Sequence, residues 1–414
     1  MISSFETTRD LYHSPLGLSG RLTRFARPHR AAIESLAVSS PRVEELAETF
    51  PGLLFALATG FGGAKRRHEA VRLIHTGALL RDVTDLIGLP WWLRRLPPEA
   101  FQSPLDGLPN GVAFSLRIGN LVPSEPAETR AWLARTLFAH RTVGENYALW
   151  IARQKRFPSG VAGEITETLL AAWAWHSRHP DTPAYPLLRT QWSDGISLRR
   201  ALEEAKAWSR RIDLAVALGT GIEDMWFPGG MCGAYEFVPL ARLEHFLSEA
   251  QAMNNCLDQF ADQVRRGRSR VFSIRKAGRI VADIEIGPHD DDCCVPRIVQ
   301  LRGPRNRRVG PEIWQVALTW LAAQEFRPLP RVNEATDRHR RQQLIRAIWR
   351  PLMDDLKGAS GEKRVQALAF GKEVSRSFRA FQVAPATELE SSGDEQTVRR
   401  GLMRPDSWRS DATD

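Results

Sequence analysis

Apolar residues recur every three or four positions over about residues 20–215 and at every second position after residue 270. This change of period predicts a helical first half followed by a module containing strands. Segments near Arg42–Phe50 and from His68 to Leu80 carry the helical period. In Arg130–Ala139 it places Trp132, Leu133, Leu137 and Phe138 on one stripe. Over residues 197–208, Ser197 is a candidate N-cap, and Leu198, Ala201, Leu202 and Ala205 share a face. Breakers at Pro51-Gly52, Gly88-Leu89-Pro90, Pro97-Pro98 and Pro158-Ser159-Gly160 separate these elements. No fixed-period repeat emerges, which argues against a regular solenoid.

From Leu240 to about Arg266 the period predicts one helix, with Leu243, Phe246, Leu247, Ala250, Met253, Leu257, Phe260, Ala261 and Val264 on its apolar stripe. His245, Glu249 and Cys256 then fall within ~40° of one another on one flank. At the helical rise Glu249 and Cys256 are about 10 Å apart along the axis, so these three cannot form a hydrogen-bonded triad. They are placed instead along one wall of a pocket.

Three alternating strands follow, at Val271–Arg275, Ile280–Ile286 and Pro296–Gln300. A three-residue loop, Ala277-Gly278-Arg279, keeps both apolar sets on one face and pairs Ser273 with Asp283. A two-residue loop is rejected, because it would set Phe272 opposite Asp283. The expected polar face carries Ser273, Arg275, Asp283, Glu285, Gln300 and Arg302, with Val299 and Leu301 on the apolar side. The expected fold class is α+β: a large, mainly α-helical N-terminal region (1–235), then a small helix/three-stranded antiparallel meander/helix module (236–330). Basic C-terminal helices (331–384) and a Ser- and acid-rich disordered tail (385–414) complete the expectation.

Charge bears on partners. The 57 Lys and Arg outnumber 48 acidic residues, for a formal net charge of +9. Such a balance favours an anionic partner, DNA or RNA before a membrane surface. Seven Lys or Arg and no acid lie between Gln263 and Arg279, and four arginines between Arg302 and Arg308. The candidate phosphate-binding residues are therefore Arg265, Arg266, Arg268, Arg270, Arg302, Arg305, Arg307 and Arg308. Arg338-His339-Arg340-Arg341 adds a further basic run. Trp91-Trp92 beside Arg94-Arg95 has the composition of a base-stacking site, but packing between helices is the expected role. No stretch approaches the ~20 apolar residues of a membrane helix, and no signal-peptide pattern opens the chain. Four cysteines, Cys232, Cys256, Cys293 and Cys294, are too few for a disulfide framework in 414 residues. A cytoplasmic chain without membrane contact is expected.

The remaining motifs are mostly exclusions. Gly219-Thr220-Gly221 lacks the third glycine of a dinucleotide fingerprint, and no phosphate-binding loop is present, so no cofactor is expected. Asp283-Ile284-Glu285 repeats the paired acids of metal-dependent nucleases, yet alternating acids are common. His289-Asp290-Asp291-Asp292-Cys293-Cys294 fits no defined zinc spacing and reads as a solvated hairpin loop. No metal site is assigned. The candidate catalytic pocket comprises Glu249, Cys256, Arg275, Asp283, Glu285, Gln300 and Asn306.

In order and spacing, Glu249, Met253, Cys256, Ser273-Ile274-Arg275, Glu285 and Gln300-x-x-Gly303-x-x-Asn306 resemble the PcfJ-like domain. The resemblance spans about residues 237–325, and Pro311–Trp320 stands where that domain has a Trp-containing helix. Two positions depart from it: Ala250 replaces a glycine and Asn255 a histidine. The resemblance implies an association with conjugative plasmids or other mobile elements and brings no established reaction. The leading expectation is thus a mobile-element accessory protein that binds nucleic acid through its arginines. An enzyme with a pocket around Glu249, Cys256, Arg275, Asp283, Glu285 and Gln300 is the alternative, and a protein-interaction scaffold the third.

Overall fold

Helices form where the apolar period is three to four, and their burial follows that period. The structure, a computed structural model, describes residues 18–155, 157, 160–289, 295–325, 334–357 and 360–370. In the helix Pro126–Val143, Trp132, Leu133 and Phe138 are buried, while Leu137 is only half-buried. The Ser197 hydroxyl caps the long helix Leu198–Leu218 by accepting from Arg200 N–H, and Ala201, Ala205, Trp208 and Ile212 face inward. Trp92 is buried, with its indole N–H donating to Pro109 O at 3.2 Å, and Trp91 packs edge-on against Phe50. Packing is therefore their role. The helix Glu334–Asp355 buries Ile348, Trp349 and Leu352, and Trp349 meets Trp208 edge-on at 5.8 Å.

The sheet has five antiparallel strands in sequential order, two more than the expected meander. They are β1 (Gly230–Cys232), β2 (Tyr235–Pro239), β3 (Arg270–Lys276), β4 (Arg279–Pro288) and β5 (Pro296–Arg302). β1 and β2 escape the pattern because they are short and sit beside a Gly-rich segment, which the sequence presents as loop. One face buries Phe237, Phe272, Ile274, Ala282, Ile284 and Leu301 against Ala317, Trp320 and Leu321 of the helix Pro311–Ala322. Trp320 stacks on Phe237 with ring centroids 4.3 Å apart and an interplanar angle of 2°.

The opposite face is covered as well. Leu214 and Leu218 of the long helix, Phe246 and Ala250 of the helix Leu243–Met253, and Leu257 close on Val271. Ala250, where the PcfJ-like pattern has glycine, thus fills core space with its methyl group.

Three local details depart from expectation. The β3–β4 connection is a two-residue turn, Ala277-Gly278, with φ of 49° and 74°. A bulge then opposes Ile274 to Ala282 but Arg275 to Ile280, leaving Val281 unpaired. The bulge restores the pairing of Ser273 with Asp283, so the rejected loop length coexists with the expected inner register. In β5 a second irregularity pairs Glu285 with Gln300 and Ile286 with Ile298. Val299 is consequently turned outward, 48% exposed, and Ile298 packs against the apolar face in its place.

The helix expected over 240–266 is broken. Asn254 adopts the left-handed conformation, with φ of 49° and ψ of 51°, and ends the helix after Met253. Cys256 precedes a single 3-10 turn, Leu257–Gln259, and a short helix, Ala261–Arg265, follows. Asparagine tolerates this conformation, which makes it a natural helix terminator. The apolar stripe still identifies core residues, because Leu257 is buried and Phe260, Ala261 and Val264 pack on the same core.

Candidate functional site

Between the segment after Asn254 and the polar face of β3–β5 lies a cavity of about 600 Å³. Its floor is formed by Val271 of β3 and by Asp283 and Glu285 of β4. Asn255, Cys256, Leu257 and Phe260 make one wall, and Val299, Gln300, Arg302 and Asn306 the other. Strand alternation explains why both acids point the same way. Asp283 is buried against Glu249 of the helix Leu243–Met253, and Glu285 between Ser269 and Gln300: Glu249 is 2% exposed, and Asp283 and Glu285 are 6% each.

Glu249 and Asp283 meet as a carboxyl pair. Asn255 Nδ2 donates to Asp283 Oδ2, and Arg275 Nη2 lies 3.8 Å from Glu249 Oε2. Glu249 Oε1 and Asp283 Oδ1 are buried, and no donor elsewhere among the described residues reaches either. Two ionised acceptors facing each other in a buried site repel, so one proton held between the carboxyls supplies the missing donor. Burial, first, and the adjoining Glu249, second, push the Asp283 pKa up to about 8, against the lowering effect of the Asn255 amide. Both causes favour the protonated form of Asp283.

Glu285 is held differently. Ser269 Oγ donates to its Oε1, and Gln300 Nε2 donates to its Oε2 at 2.8 Å. No lysine or arginine among the described residues pairs with it. Ser273, fully buried between the two ends of the face, accepts from Arg275 Nε at 3.3 Å.

The expected pocket residues accordingly fall into two groups. Cys256, Asp283, Glu285, Gln300 and Asn306 line the cavity. Glu249 and Arg275 are not part of its lining: Glu249 adjoins Asp283, and Arg275 stands beside Glu249. Cys256 does so as an exposed residue beyond the helix end, not on the helix flank assigned to it, whereas His245 remains on the helix and faces solvent. The group hydrogen-bonded to the Cys256 sulfur is the Asn306 amide at 3.7 Å, a donor and not a base. Two contributors lay outside the expected residues, Asn255 and Ser269, while Ser273 sits on the polar face where the alternation put it. The Asn254-Asn255 pair was the available signal, since paired asparagines mark a helix end whose second amide can turn toward the sheet.

The candidate phosphate-binding arginines separate in the same way. Arg270 is 7% exposed, donates from Nε to Asp224 O at 2.6 Å and lies 4.4 Å over the Trp226 ring. Burial pulls its pKa down to about 10. It is a structural residue, out of reach of a phosphate backbone. Arg266 is exposed and paired with Asp262 at 2.9 Å, and Arg268 is exposed. The Arg265 side chain lies outside the described residues. Arg302, Arg305, Arg307 and Arg308 are all exposed at the end of β5 and in the following turn. Arg302 stands at the cavity mouth, while Arg305 and Arg307 line an adjoining depression of about 330 Å³.

Among the described residues no group of three His, Cys, Asp or Glu side chains is arranged to hold a metal ion. The Asp290–Cys294 part of the expected hairpin loop lies outside the described residues, as does the tail expected over 385–414. No helix among the described residues is long and apolar enough to cross a membrane. Comparison of the chain with family models, with curated proteins and with solved structures found no match in any of the three.

Proposed function

We propose that this cavity is the active site of an enzyme that transfers protons between carboxyl groups and a small polar substrate. One observation carries the reading: the buried Glu249–Asp283 pair, in which Glu249 Oε1 and Asp283 Oδ1 meet no donor among the described residues. A carboxyl that keeps its proton at neutral pH is a general acid, and one fixed as an acceptor two residues along the same strand is a general base. Asp283 takes the first role and Glu285 the second. Side chains two apart on a strand stand about 6.6 Å apart along it, which leaves room for a reacting bond between them. Among the described residues no base bonds to the Cys256 sulfur, so a thiolate mechanism is the weaker alternative.

The test joins protonation state to turnover. Carboxyl-edited infrared or ¹³C NMR titration is expected to show an Asp283 proton persisting towards pH 8, and Asp283→Asn to abolish that signal. Against a panel of small polar substrates, Asp283→Asn and Glu285→Gln are each expected to lower kcat by about 10²–10⁴. A carboxyl that ionises in the usual range, or variants with undiminished turnover, would overturn the assignment.

A second reading is supported by the exposed Arg302, Arg305, Arg307 and Arg308 beside the cavity: association with DNA or RNA. Binding through these four predicts affinity that falls steeply with salt, with a smaller salt slope in Arg305→Ala/Arg307→Ala. Absence of binding at low salt removes this reading. Of the residues that carry the resemblance to the PcfJ-like domain, Cys256, Glu285, Gln300 and Asn306 line the cavity. They support a mobile-element setting as part of the proposal, which conjugation genes beside the coding sequence would bear out.

A further inference from the structure

The cavity wall is rich in carboxamides. Asn255, Gln259, Gln263, Gln300 and Asn306 all line it, and each amide both donates and accepts hydrogen bonds. Such a lining suits a neutral ligand whose edge alternates donors and acceptors. Leu257, Phe260, Val271 and Val299 give the same space an apolar wall, which suits the face of a ring. Glu285 adds a sharper constraint. It is a buried acceptor with two neutral donors, Ser269 and Gln300, and each of its oxygens retains a lone pair. It therefore selects a ligand that brings an amine N–H, because a ring N–H flanked by carbonyls would set those acceptors against the carboxylate oxygens. A bare anion deep in the cavity would face the carboxylate charge directly. The fitting place for a negative group is the mouth, where Arg302 is exposed, with Arg305 and Arg307 in the depression beyond the Asn306–Cys256 contact. A plain sugar would use the amides and leave both the apolar wall and the arginine unused. At about 600 Å³ the cavity is in the range that encloses a small-molecule ligand.

We infer that the ligand is a nucleotide whose base carries an exocyclic amine, with the base against Glu285 and the carboxamides and the phosphate at Arg302. This rests on the cavity being the substrate site proposed above. Glutamate accepting from a base amine and arginine pairing with phosphate are recurrent means of recognising these groups.

The test is isothermal titration of the full chain with AMP, GMP, CMP, UMP, IMP, adenosine and inorganic phosphate. The amine-bearing AMP, GMP or CMP is expected to bind about tenfold or more tightly than UMP or IMP. Glu285→Gln is expected to erase that preference, and Arg302→Ala to weaken AMP about tenfold while leaving adenosine unchanged. Gln300→Ala, which removes a wall amide and keeps the carboxylate, guards against a folding defect in Glu285→Gln; it should weaken every base-bearing ligand and spare inorganic phosphate. Equal binding of UMP and the amine-bearing nucleotides, phosphate competing as well as AMP, or no nucleotide binding at millimolar concentration would each overturn the assignment. If nucleotides fail to bind while the Asp283 proton persists towards pH 8, the substrate class falls and the acid–base reading stands. If that proton is absent, the acid–base reading falls whatever binds.

Discussion

At the scale of single residues, Asp283 shows how position and environment separate. Alternation along β4 dictates which face it occupies, and its Ser273 partner follows from the register. Its proton does not follow from either. That depends on Glu249, which arrives from a helix 34 residues earlier in the chain, and on the Asn255 amide. The consequence for stability has a definite sign. The folded-state pKa is about 8 against an ordinary 3.8, so the folded protein holds a proton that the unfolded chain has released in between. Stability contributed at this site is highest below about pH 4 and falls as pH rises to about 8, then levels. Asp283→Asn imitates the protonated acid and does not titrate. Chemical denaturation across this window is expected to show wild type losing stability relative to Asp283→Asn as pH rises, and a constant difference would refute the assignment.

At the scale of elements, turn chemistry and backbone irregularities decide what periodicity leaves open. The period-two pattern demanded that Phe272 and Ile284 share a face, and it was met by a two-residue turn plus a bulge at Val281 in place of a longer loop. Both central turn residues have positive φ, and Ala277 is the one that lacks a glycine's freedom there. Replacement by asparagine, which favours this conformation in hairpin turns, is expected to raise stability by about 0.5–1 kcal/mol. The check is a denaturation midpoint that rises with an unchanged slope. The same scale explains the broken helix: the apolar stripe survived the break at Asn254 because the core needs those side chains, not because the backbone stayed helical.

At the scale of the molecule, the sheet is enclosed on both faces, and the long helix Leu198–Leu218 contributes to two environments. Trp208 packs with His176 and Trp349, while Leu214 and Leu218 pack near Val271 on the sheet. A helix shared in this way should couple the helical region to the sheet. Leu214→Ala is expected to cost about 2–5 kcal/mol and to shift one transition, seen at the same midpoint by far-UV and near-UV dichroism. Two separated transitions would show that the regions unfold independently. Charge also takes on a different meaning at this scale, since Arg270 belongs to the buried frame and Arg302, Arg305, Arg307 and Arg308 to the surface.

The α+β class, the β3–β5 strands, the pairing of Ser273 with Asp283, the Ser197 cap and the set of polar residues on one sheet face were all legible in the order of residues. These depend on nearest-neighbour geometry: the two-residue alternation of a strand, the 3.6-residue turn of a helix and the donors left open at its start. It took the packing of the folded chain to bring Glu249 against Asp283, to carry Cys256 beyond the helix end and to bury Arg270. Those outcomes depend on where segments distant in the chain come to rest, and a carboxyl's proton is set by what surrounds it in space.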